Sequence, residues 1–175
     1  DGSWQPTGML LPENPTQNGF FGDKMSIEAR RLAIAAPGED AHHGAVYIYE
    51  KESGVWVSKH RIQASNSDAY DRFGRSISLE GDRLVIGASG EDSSSQVIDG
   101  NQVSNSAYDA GAAYVFDFDG VSWNQTAYLK PHNLDGGDKF GTSVLLSGDR
   151  IFVGSYNESS SRPLTMTNPD DNTLH

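Results

Sequence analysis

Two short segments carry carboxylates at a spacing suited to chemistry. SDAYDRFG at 67–74 sets Asp68 and Asp71 three residues apart, and LDGGDKFG at 134–141 repeats the arrangement with Asp135 and Asp138. Loop carboxylates of this kind are hard oxygen donors that suit calcium, with Glu91, Asp92 or Glu158 as further ligands. The same spacing equally suits a tight turn in which the second Asp accepts backbone hydrogen bonds. The corresponding segment TQNGFFG at 16–22 has neither acid. His42 and His43 are adjacent and could serve a transition metal, although neighbouring side chains on an extended segment point opposite ways. DFDG at 117–120 begins like a calcium loop but occupies the hairpin position of KESG at 51–54, which makes it a turn. There is no GxSxG, HExxH or phosphate-binding glycine loop, and the absence of cysteine excludes disulfides, thiolate zinc sites and cysteine nucleophiles.

The elements that position these residues repeat. FGDKMSIEARRLAIAAPGED from Phe21, FGRSISLEGDRLVIGASGED from Phe73 and FGTSVLLSGDRIFVGSYNES from Phe140 align without gaps over 20 residues. The Phe-Gly pairs are 52 and 67 residues apart, and the excess of 15 lies between Glu91 and Gly111, in a loop rich in Ser, Asn, Gln and Asp. Each period holds four strand signals, seen in the middle repeat as FGRSISLE, RLVIGAS, GAAYVFDF and VSWNQTAYLK. Gly81-Asp82 and Gly148-Asp149 separate the first and second strands, and Ser53-Gly54 and Asp119-Gly120 the third and fourth. A period near 50 built from four short antiparallel strands predicts a β-propeller blade. Trp4, Trp56 and Trp123 open fourth strands and are expected to pack between blades, while the Gly and Ala of VIGAS and AIAAP are expected to face a crowded propeller axis.

AAPGED at 35–40, GASGED at 87–92 and, more loosely, GSYNES at 154–159 join the three Phe-Gly pairs in resembling the FG-GAP repeat family. That family includes the head propeller of integrin α subunits and many bacterial surface proteins, and the likeness is strongest to its bacterial form. The expected fold is all-β, with about three FG-GAP repeats of four-stranded antiparallel blades that are incomplete as a single closed propeller. The repeats are expected over 1–160, with blade cores at about 20–64, 72–130 and 139–158, a strand at 3–11 completing another blade, and a polar tail or closing strand at 161–175. Integrin propellers bind calcium in an Asp-rich loop between the FG and GAP strands. Here Glu80-Gly81-Asp82-Arg83 and Ser147-Gly148-Asp149-Arg150 replace it, so those calcium sites are not expected.

Alternating strand direction places the loops joining strands two and three on the same face as the connectors between blades. Half of the 24 acids fall on this upper face. Glu39, Asp40, Glu91, Asp92, Asp99 and Asp109 are the candidate ligand-binding residues, and Asp68, Asp71, Asp135 and Asp138 the candidate calcium residues. Against 13 basic residues the net charge is -11, which opposes nucleic acid and anionic lipid. No apolar run is long enough to span a bilayer. The chain starts at Asp1 without a basic and then apolar stretch, as expected if a signal peptide is absent or removed. The resemblance implies a non-enzymatic extracellular or cell-surface module that binds a protein or glycan. The alternative is a structural subunit, because three blades leave open edges that copies of the chain or further blades must cover. Glycoside hydrolysis is a third reading, since carboxylates are plentiful.

Overall fold

A computed structural model of the chain describes residues 2–158. The first sheet has the order β1 (Met25–Glu28), β2 (Arg31–Ala36), β3 (Ala45–Glu52), β4 (Val55–Ile62). The second repeats it with β5 (Phe73–Glu80), β6 (Arg83–Ala88), β7 (Ala112–Phe118) and β8 (Trp123–Leu129), and the third holds β9 (Phe140–Ser147) and β10 (Arg150–Ser155). All pairings within the sheets are antiparallel, as short strands joined by tight turns require. Equivalent residues take equivalent partners: Tyr47 faces Arg61 across β3 and β4, and Tyr114 faces Tyr128 across β7 and β8. The fold is thus the expected incomplete propeller: two full blades, half of a third, and no closed sheet among the described residues.

The blades are stitched to one another along their inner ends. β5 packs against both β1 and β9, so the FG strand of each blade lies innermost. The loops after β2 and β6 each run beside the start of the next FG strand, forming parallel bridges between Gly44 and Phe73 and between Gly111 and Phe140. The Phe73 and Arg72 N–H groups donate to the His43 and His42 carbonyls at 3.1 and 2.8 Å; Phe140 and Lys139 donate to Ala110 and Asp109 at 2.9 and 3.0 Å. Lower down, the Ser26 hydroxyl accepts from the Leu79 N–H at 3.0 Å and the Ser78 hydroxyl from the Leu146 N–H at 2.9 Å. Arg31 reaches from the first blade to Asp82 and the Gly81 carbonyl while its guanidinium lies 4.4 Å from the centre of the Phe118 ring. Two faces of each strand are therefore used. Ala33 and Ala35 join Phe73, Leu84 and Tyr114 in the core between blades, while Ile34 and Ala36 join Tyr47 and Tyr49 on the opposite face of the first blade.

Several expectations need correction. The small residues of the second strand do sit in a crowded place, the close approach between blades: a Cβ on Gly87 would collide with the Gly141 carbonyl oxygen, and the Ala35 side chain lies where a Cβ on Gly74 would press. Phe21 and Gly22 lie outside β1, which is four residues long where β5 has eight. Phe73 and Phe140 are drawn into their strands by the bridge from the preceding blade, and Phe21 has no such bridge among the described residues. Residues 3–11 form no strand, and Trp4 is 99% exposed. Among the described residues no strand pairs with that segment; Leu10 rests on the outer face of the first blade and the Leu11 carbonyl accepts the Tyr49 hydroxyl at 2.6 Å. The closing strand or tail expected at 161–175 lies outside the described residues.

Gly111 combines two demands that only glycine meets. Its φ is +85°, and a Cβ there would strike the Phe140 carbonyl oxygen. Gly111→Ala should destabilise the chain by about 2 kcal/mol or more, whereas Gly120→Ala, at φ +98° but in open space, should cost about 1 kcal/mol. Urea unfolding midpoints of the two variants check the ordering.

Candidate functional site

The upper face is built from the loops after β2 and β6 and the connectors that follow β4 and β8, which the bridges above hold side by side. In the first loop, α1 (Glu39–His42) is a single turn whose Asp40, Ala41 and His42 all have positive φ, at 50°, 52° and 66°. Conformations this unfavourable for non-glycine residues persist only where surrounding contacts enforce them.

The two candidate glutamates are not presented to solvent. Glu39 accepts the Tyr47 hydroxyl at 2.6 Å and the Arg61 Nε–H at 2.7 Å. Glu91, 1% exposed, accepts the Tyr128 hydroxyl and the Lys130 ammonium, both at 2.8 Å, and the Asn66 amide at 3.2 Å. Lys130 also donates to the Gly111 carbonyl at 2.7 Å, as Gln63 does to Gly44 at 3.2 Å. The Glu of each GED thus ties its loop to the outer strand of its own blade, and the carboxylates of Glu39 and Glu91 are engaged within the chain. Burial raises the Tyr47 hydroxyl to about 12, helped by Glu39, and lowers the Lys130 ammonium against the pull of Glu91.

Asp71 and Asp138 are buried, and their Oδ2 atoms accept the N–H of Asp68 and of Asp135, each at 2.8 Å. Their backbone carbonyls also accept, from Gly90 and Asn157, both at 3.1 Å. Asp68 and Asp135 are exposed, and Asn105 donates its amide to Asp68 at 2.9 Å. Among the described residues no group of three or more His, Asp or Glu side chains is placed to hold a metal ion, and the paired acids take the geometry of turns. Burial, opposed by the Asp68 N–H and reinforced by Glu91, raises the Asp71 carboxyl to about 7, and burial raises Asp138 as well. The two histidines part company: His42 stacks on Tyr70 at 5.6 Å between ring centres, and His43 Nδ1 lies 3.1 Å from the Ser67 hydroxyl. In DFDG, Asp119 accepts the Val121 and Ser122 N–H groups at 2.8 Å each, which confirms a turn.

The long loop after β6 is a bracket. The Asp99 N–H donates to the Tyr128 carbonyl and the Tyr128 N–H to Asp99 Oδ1, both at 2.8 Å, so this acid caps the outer edge of the second blade. The Gln102 carbonyl accepts the Asn66 amide at 2.9 Å on one connector, and Gln96 donates to the Leu134 carbonyl at 3.2 Å on the next. Asp92 accepts the Asp109 N–H at 2.7 Å, and Asp109 lies 3.6 Å from the Lys139 ammonium. Of the six candidates only Asp40 remains exposed without such a task.

What the candidate list missed is cationic and aromatic. A cleft of about 290 Å³ between the first two blades is lined by Phe20, Asp23, Pro37, His42, Arg72 and Arg75. Its signal was legible in RFGR at 72–75, where two arginines flank a Phe-Gly pair that is flanked by Phe20 and Asp23 in the first repeat and by Lys139 and Thr142 in the third.

The buried polar network makes two testable statements. Lys130→Met strands the Glu91 carboxylate and should cost about 3–5 kcal/mol, most of it recovered in the Lys130→Met/Glu91→Gln double variant, by urea unfolding. Asp71 holds its proton to higher pH in the folded chain than the ordinary carboxyl range near 4, so the folded state binds the extra proton between about pH 4 and pH 7. Its contribution is greatest below pH 4 and is lost as pH rises through about 7. Asp71→Asn keeps an acceptor for the Asp68 N–H and should therefore gain stability over the parent from pH 4.5 to pH 8, measured as the difference in urea midpoints.

A family model for the FG-GAP repeat matches residues 56–116 and 123–163. The first match runs from β4 into β7, so the family's unit is offset from the blade and spans the connector between two blades. Human (Homo sapiens) integrin alpha-10 is 37% identical over 100 residues, which cover 47% of this chain and 8% of the integrin. The chain therefore matches less than a tenth of that relative's length. With more than half of its residues matched, and three stitched sheets each introduced by a Phe-Gly pair, the chain belongs to the FG-GAP repeat family and is related to the propellers of integrin α subunits.

Proposed function

We propose that this chain is part of an extracellular or cell-surface binding module of the adhesion type, without catalysis of its own, that turns its upper face to a protein or glycan partner. The observation that carries this reading is the convergence on that one face of both interblade stitches, the long bracket and the cleft. A stitched scaffold holds such loops in place, which is how rigid sheets generally present recognition surfaces. The relation to an integrin supports the adhesion setting. Among the described residues no helix is long and apolar enough to cross a membrane. Glycoside hydrolysis is disfavoured because it needs two carboxyl groups flanking a cleft, and the acid lining this one is Asp23.

A second reading, a structural unit that self-assembles or completes a larger propeller, is favoured by the two ends of the stack. Met25 and Ile27 are 65% and 62% exposed at one end, and Leu145 and Phe152 are 56% and 55% exposed at the other, whereas Leu79 and Val85, in the places of Ile27 and Phe152, are buried in the second blade. A photo-crosslinking amino acid at Asp40 on the upper face, compared with one at Asp149 on the opposite turns, separates the readings. Adducts with other cell-surface proteins from position 40 alone support the binding module. Equal labelling from both positions, or none, overturns it, and adducts with the chain itself favour assembly.

A further inference from the structure

We propose that the cleft between the first two blades is a recognition site for the carboxylate of an acidic side chain, Glu or Asp, on a peptide segment of the partner. This rests on the binding-module reading above and gives it a place and a chemistry. Arg72 and Arg75 both line the cleft. Arg75 lies 3.6 Å from Asp23, at the outer limit of an ion pair, and the exposed Arg72 side chain makes no hydrogen bond or ion pair among the described residues. A guanidinium with all its donors free is suited to a planar carboxylate, which it meets through two parallel hydrogen bonds. The chain has 13 basic residues in 175 and a net charge of -11, so two arginines and a histidine around one cleft run against its overall balance.

The rest of the lining fits the stem of such a side chain. Phe20, 57% exposed, lies 6.2 Å from His42 between ring centres, and His42 stacks in turn on Tyr70, 63% exposed. With Pro37 these rings give an apolar wall for methylene groups or for an aromatic neighbour on the peptide. A neutral sugar is the weaker fit, because it would leave the guanidinium charge of Arg72 without the counter-charge that a carboxylate supplies. The backbone that shapes the wall is unusual for side chains of this size, with positive φ at Phe20, Tyr70 and Arg72 as well as in α1.

The next boundary shows the same scaffold without the cleft's chemistry. There the place of Arg72 is taken by Lys139, which faces Asp109 at 3.6 Å, that of Arg75 by Thr142, and that of Tyr70 by Gly137, whose N–H donates to the Tyr108 carbonyl of the bracket at 2.8 Å. Two junctions with shared backbone geometry thus differ in that one is filled from within the chain and the other is left open with an unpaired guanidinium.

The test uses the whole chain and the acetylated, amidated peptide Gly-Ala-Glu-Phe-Gly, its Gln counterpart and glucuronate as probes, followed through the arginine Nε–H resonances. The Glu peptide should shift the Arg72 and Arg75 signals and bind at least about tenfold more tightly than the Gln peptide. Arg72→Gln should weaken it about tenfold, while Arg150→Gln, on the opposite turns, should leave it unchanged. Equal response to the Glu and Gln peptides, response confined to other arginines, no response at millimolar peptide, or tighter binding of glucuronate each overturns the proposal. If photo-crosslinking from position 40 persists undiminished in the Arg72→Gln/Arg75→Gln chain, this site falls while the binding-module reading stands.

Discussion

The structure depends on the backbone of one blade touching the backbone of the next. A four-stranded sheet this small cannot bury its own faces, and its neighbours must come close enough to exclude water. The parallel bridges at Gly44 and Gly111 set that distance, since the glycine passes against the carbonyl of the following FG phenylalanine with no room for a side chain. Everything nearby is arranged around the contact: the Phe side chain turns into the core, the residue before it adopts positive φ at Phe20, Arg72 and Lys139, and the Gly after it does the same.

That geometry also explains where the acids go. A loop forced against its neighbour leaves N–H groups pointing inward, and buried donors must be satisfied. Asp71 and Asp138 satisfy the turns before each FG strand, Asp92 and Asp99 hold the bracket in place, and Glu39 and Glu91 anchor the loops to outer strands. Most of the acids on this face are engaged within the chain, and the cleft beside them is lined mainly by cationic and aromatic groups.

The blades were legible because Phe-Gly, the hairpin turns and the alternating apolar strands are local signals that recur with a fixed period. The segment at 3–11 reads as a fourth strand from its apolar residues, yet a strand exists only with a partner to receive its hydrogen bonds, and among the described residues it has none. The site was less legible. Glu39 and Glu91 could not be told from surface acids, because their partners Arg61, Tyr128 and Lys130 lie 22, 37 and 39 residues away on other strands. Turn use of Asp71 and Asp138 was foreseeable from their spacing alone, since the donor sits three residues before the acceptor. RFGR was visible but became meaningful only when the fold set it beside Phe20 and His42.

One repeated bond gives the stack a direction. Ser26 and Ser78 occupy the same place in successive blades, and each hydroxyl receives an N–H from the FG strand of the blade that follows. In the third blade that place is held by Leu145, which is exposed and has no hydroxyl to offer. A sheet laid beside β9 would therefore meet an apolar side chain at the place where its predecessors met a hydroxyl acceptor, and that bond would not be repeated. The junction beyond β9 would thus rest on side-chain packing where the two before it share a hydroxyl bond.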